Sequence, residues 1–218
     1  MVAIEHSGEL LAPSRWNLRQ RTVGLIAGIG FAILLACAAF LVRGGDMNAA
    51  RFAANTVLVA SSFLFVIYYV AAPIARLIPG AAARALGQER FALAYGFVGM
   101  TGVYTLCLLT PDWLMQARLP LPTLTYAALT AFMAIAFLLS AGSKRTAAMP
   151  TLRTVQSLTS GYFWLTFAFT DMDHMIGPHR PDGNFYGPSL MLLAIALIVR
   201  FADAFVQHFN AGMSERVT

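Results

Sequence analysis

The chain has 218 residues, 58% of them hydrophobic and only 11% charged, against about 25% charged in soluble domains. So few charges cannot solvate a globular surface, which excludes an ordinary soluble domain and directs the apolar surface toward lipid. The formal net charge of +5 comes from arginines at the ends of apolar runs, not from a basic stripe interleaved with aromatics. Membrane orientation accounts for it, and a nucleic-acid partner is not expected.

In chain order, residues 1–21 are polar and read as a cytoplasmic tail. The apolar run 22–42 is long for a signal-peptide core and has no clean small-x-small cleavage boundary, so it reads as a retained first span. A spanning helix needs about 20 apolar residues, and five further runs qualify: 52–74, 91–109, 121–142, 154–172 and 187–209. Pro73 reads as a helix-end residue of the second run. Short connections join the runs, and 210–218 form a second cytoplasmic tail. The fold class is therefore all-α: an integral membrane bundle of about six transmembrane helices in one domain, 22–209.

Orientation follows from the arginines and lysines of the short loops. Arg15, Arg19, Arg21, Arg76, Arg84, Arg90, Lys144, Arg145, Arg153 and Arg216 fall on one side, and Arg43, Arg51, Arg118 and Arg180 on the other. The first side is expected to be cytoplasmic, with both termini on it, in a bacterial inner membrane. Trp16 on the inner side, and Trp113 and Tyr186 on the outer side, suit the interface.

Small-residue stripes mark two spans. Gly24 and Gly28 form a GxxxG in the first; Ala92, Gly96, Gly99 and Gly102 follow helical spacing in the third. Such stripes let helix backbones approach closely. The other reading is a gap for a flat cofactor, porphyrin or quinone, between these glycines and Ser157, Ser160 and Gly161 of the fifth span.

Ionisable residues inside spans are functional candidates because a charge in hydrocarbon is costly. Arg200 and Asp203, three apart on the last span, are expected to pair. Asp171, Asp173, His174, His179 and Asp182 gather at the outer end of the fifth span. They form a polar turn, as the Gly-Pro and Asp-Gly-Asn steps suggest, an outer-face metal site, since imidazoles with carboxylates bind Zn, Mn or Fe, or a partner-binding loop. Cys37 and Cys107 lie in apolar runs and read as buried small hydrophobes. No nucleophile elbow, phosphate-binding glycine loop, HExxH or CxxCH is present.

Three stretches carry a family resemblance: Pro73 to Pro79 running on into Arg84 to Tyr95, Leu152 to Leu165, and Phe185 to Ser189 leading into the span with Arg200. Over about 150 residues their arrangement resembles the ferric-reductase-like transmembrane family. Its bacterial members include the heme-binding membrane subunit of the methionine sulfoxide reductase system. The resemblance implies a helical bundle holding b-type heme between histidines of helices 3 and 5. This chain departs from that pattern. Gly99 or Met100 stands near the first ligand position, Gln156 near the inner position on helix 5, and Phe169 or Thr170 near the outer one. His174, one turn further on, is the one span-end histidine able to substitute. Gln is a poor heme ligand and one histidine supplies one axial bond, so two bis-histidine hemes are not expected. The resemblance then implies a non-catalytic membrane subunit or scaffold within a larger membrane complex. The alternatives are an electron-transfer protein with one heme b or another flat cofactor at Gly99, Met100, Gln156 and His174, and an outer-face metal-binding protein.

Overall fold

The computed structural model describes residues 15–116, 121–141, 149–176 and 183–214. Among these residues the chain is all-helical: α1 (Arg15–Val42), α2 (Met47–Leu77), α3 (Ala81–Gln88), α4 (Arg90–Gln116), α5 (Leu121–Ala141), α6 (Pro150–Ile176) and α7 (Gly183–Ser214). Of the two expected tails, helix is already present from Arg15 in the first, and α7 runs on into the second as far as Ser214; the remainder of both lies outside the described residues.

Five helices are long and apolar enough to cross a membrane, over Leu18–Val42, Asn48–Leu77, Arg90–Thr110, Leu121–Ala141 and Tyr186–Phe209. The protein is thus a multi-pass membrane protein by length and composition. The sixth expected span, on α6, is long enough at 27 residues but more polar, carrying Thr, Ser, Gln and Asp side chains. It keeps several of them inside the bundle: Thr159, Ser160 and Asp171 are buried.

Local chemistry sets the helix ends. Gly44 and Gly45 take φ of 88° and 77°, the left-handed region open to glycine at little cost, and turn the chain from α1 into α2. Asp46 then caps α2, its carboxylate accepting from the Ala49 N–H at 2.7 Å. Pro73 lies inside α2 and does not end it; the helix runs one further turn to Leu77, before Pro79. The connection between α2 and α4 folds into α3, an element not expected from hydropathy. Within the spans, threonine hydroxyls donate to carbonyls four residues back, as Thr56 does to Phe52, Thr101 to Phe97 and Thr170 to Thr166. A hydroxyl in hydrocarbon is satisfied locally in this way.

Helices α2, α4, α5, α6 and α7 pack in sequence around a closed ring, and α1 leans on its outside against α4 and α2. The α1–α4 joint is made by small residues. A Cβ on Gly28 lies 2.6 Å from the Gly96 Cα, and one on Gly24 lies 2.8 Å from the Ala92 Cα. The ring closes around aromatic side chains. Phe65, Phe97, Phe137, Phe163 and Phe167 are all at most 2% exposed. Their centroids lie 4.9 Å apart for Phe97–Phe163, 5.3 Å for Phe65–Phe97 and 5.5 Å for Phe97–Phe137. Most of these pairs are tilted or edge-on, the arrangement that ring quadrupoles favour.

At the end where α2 and α4 meet α3, Asp203 pairs with Arg76 of α2 and not with Arg200. The Arg76 guanidinium donates from Nε and one terminal nitrogen at 3.0 and 2.5 Å, and Gln207 adds a third bond at 2.9 Å. Arg200 instead lies 4.6 Å above the Tyr69 ring. The reason is reach: a guanidinium from the facing helix engages both carboxylate oxygens, a geometry a residue one turn away on the same helix seldom attains.

Candidate functional site: a buried polar seam between α2, α6 and α7

At the opposite end of the bundle, three helices bring polar side chains to one buried seam. Asn55 and Ser62 are seven residues apart on one face of α2. Asp171 and His174 share a face of α6, and Tyr186 and Ser189 a face of α7, each pair at a spacing of three. Ser62, Asp171, Tyr186 and Ser189 are buried, and His174 is half-buried.

The contacts fix the orientation of the imidazole. His174 Nδ1 is 2.8 Å from the Thr170 carbonyl oxygen, which only accepts, so Nδ1 carries the proton. Nε2 faces the Asn55 side-chain nitrogen at 3.5 Å, which only donates. The ring also stacks on Tyr186, centroids 4.2 Å apart and 22° between planes. Ser62 and Ser189 share a hydrogen bond at 2.7 Å, and the Ser62 hydroxyl reaches the Val59 carbonyl at 2.7 Å. Ser189 also faces the Asp171 carboxyl. One Asp171 oxygen, Oδ2, is buried with no hydrogen-bond partner. A polar atom left so in a low-dielectric interior is costly.

The expected cofactor residues do not converge. Gly99 faces α1: a Cβ there lies 2.9 Å from the Leu25 carbonyl oxygen and 3.1 Å from the Ile29 side chain. Gly96 likewise faces the Gly24 carbonyl. The glycine row therefore does not look across to α6, and the expected gap opposite Ser157, Ser160 and Gly161 is corrected: Ser157 and Gly161 are exposed, and Ser160 is buried. Close α1–α4 approach uses the stripe. Met100 is buried in the apolar core. Gln156 donates to the Tyr68 hydroxyl at 2.8 Å, and His174 is held as described. This donor set does not fit a heme, because Gln156 is engaged by Tyr68, His174 by Thr170 and Asn55, and phenylalanine rings fill the centre between α2, α4, α5 and α6.

Of the expected metal residues, Asp171 is buried, Asp173 exposed and His174 between them. His179 and Asp182 lie outside the described residues. Among the described residues, no three His, Cys, Asp or Glu side chains gather closely enough to hold an ion. Cys37 is exposed on α1 and not buried as expected, while Cys107 is half-buried. Asn55, Ser62 and Ser189 were not singled out from the sequence. The signal was there: Asn55 is the one side-chain amide within the apolar run 52–74, and Ser62 follows it two turns later on the same face.

No known family, curated protein or solved structure matches this chain.

Proposed function

We propose that the chain is a non-catalytic integral membrane subunit or scaffold, built on a ferric-reductase-like bundle and assembled into a larger membrane complex. The observation that carries this reading is the closed aromatic centre. Phe65, Phe97, Phe137, Phe163 and Phe167 occupy the space between helices that a flat cofactor would need, Met100 is packed in the same apolar core, and Gln156 and His174 are engaged by Tyr68 and by Thr170 and Asn55. The electron-transfer and outer-metal readings have no comparable geometric support.

The bundle crosses six times in this reading, with α6 as the additional crossing. Gln156 meets Tyr68 and His174 meets Asn55. The two contacts are 18 residues apart on α6, about 27 Å, and 13 apart on α2, about 20 Å, at 1.5 Å per residue. Helix α6 thus runs antiparallel to α2 over the same depth, and a polar helix is tolerated there because its neighbours satisfy it. Six crossings put both termini on the arginine-rich side, the cytoplasm of a bacterial inner membrane.

The test is isolation of the tagged chain from its own membranes in mild detergent. Stoichiometric membrane proteins should accompany it on a native gel. Migration as a lone chain at every detergent concentration contradicts the subunit reading.

A further inference from the structure

A groove of about 450 Å³ lies between α1 and α2 on the side of the bundle away from α5. That volume is within the range of small-molecule sites. Phe31, Ala38 and Val42 line it from α1, and Phe52, Val59 and Phe63 from α2. From Phe31 to Val42 it follows eleven residues of helix, about 16 Å, close to half of the ~30 Å hydrocarbon core of a bilayer. Its polar lining is confined to Asn55, Thr56 and Tyr186, and the Thr56 hydroxyl is turned back to the Phe52 carbonyl.

Cations stand at the mouth. Arg43 directly follows Val42, and its guanidinium sits 4.4 Å above the Phe52 ring, which lines the groove. Arg51 precedes Phe52 and is exposed. Polarity therefore changes in three steps along the groove: guanidinium at the mouth, the Asn55 amide about one turn deeper, then only hydrocarbon. We infer that this groove binds one anionic phospholipid, with its phosphate at Arg43, its ester region at the level of Asn55 and one acyl chain between α1 and α2. A phosphate suits an arginine donor, and the length of the groove suits a chain of a single leaflet.

The groove shares Asn55 and Tyr186 with the polar seam, but lipid binding does not depend on the proposed subunit role, so either stands if the other fails. The experiment is native mass spectrometry of the full chain in mild detergent, titrated with phosphatidylglycerol and with phosphatidylcholine. The wild-type chain should retain one phosphatidylglycerol about tenfold more tightly than phosphatidylcholine. Arg43→Gln, an exposed position whose change leaves packing in place, should bind the two lipids equally. Ala38→Trp, which fills the groove from its exposed wall, should lose both. Equal retention of the two lipids by the wild-type chain overturns the inference and marks ordinary annular lipid. Displacement of phosphatidylglycerol by glycerol phosphate alone also overturns it, because the chain would then contribute nothing.

Discussion

The decisive side chains are those whose neighbours the sequence could not show. Five phenylalanines fall in apolar runs and are indistinguishable there from lipid-facing ones: Phe163 is 1% exposed, whereas Phe169, six residues on, is 66% exposed. Only the packing of five helices separates them. A central ring is held by contacts on all sides, so Phe163→Ala should cost about 3–5 kcal/mol, read as a lower unfolding temperature in detergent. Phe169→Ala should shift it little. The reverse order would mean that the ring cluster does not hold the bundle together. His174 was legible as an unusual residue, but its role was not. Its three partners come from its own helix, from α2 and from α7, and two of them are more than ten residues away in sequence. Asp203 shows the same limit. Its need for a guanidinium was readable from its place in a span, but the choice of Arg76 over Arg200 is a matter of helix packing.

Among elements, hydropathy located the five helices long and apolar enough to cross a membrane, because each needs only an apolar run of sufficient length. It also indicated α6, whose polarity reflects burial against neighbours. It missed α3, because an eight-residue helix lying beside α2 and α4 has no spanning signature. The GxxxG of α1 was informative, since backbone contact at Gly24 and Gly28 leaves no room for any side chain. The partner surface, Ala92 and Gly96, was visible as a stripe but open to two meanings until the α1–α4 pairing resolved it. Gly28→Leu should therefore push α1 off α4 and lower stability by about 1–3 kcal/mol or more, because the atoms it meets are backbone and cannot yield. Gly30→Leu points into open space and should stay within about 0.5 kcal/mol. Thermal unfolding of the two variants side by side checks this. Similar losses in both would place α1 elsewhere.

For the whole molecule, the crossing number and the closed centre are the two statements that matter. Crossing number is open to labelling. With Cys37 and Cys107 replaced, single cysteines at Met149 and Ile176, exposed at the two ends of α6, should react from opposite sides of the membrane. An impermeant reagent should reach Ile176→Cys in intact cells and Met149→Cys only after permeabilisation. Reaction of both from one side would reduce the bundle to five crossings. The closed centre bears most directly on the proposed function, because phenylalanine rings occupy the space between α2, α4, α5 and α6 that a flat cofactor held between those helices would need. The measurement is a reduced-minus-oxidised absorbance spectrum of the protein purified in mild detergent, with pyridine hemochrome quantitation. The account predicts no b-type signal; a signal near one heme per chain would contradict it and make His174 the first residue to replace.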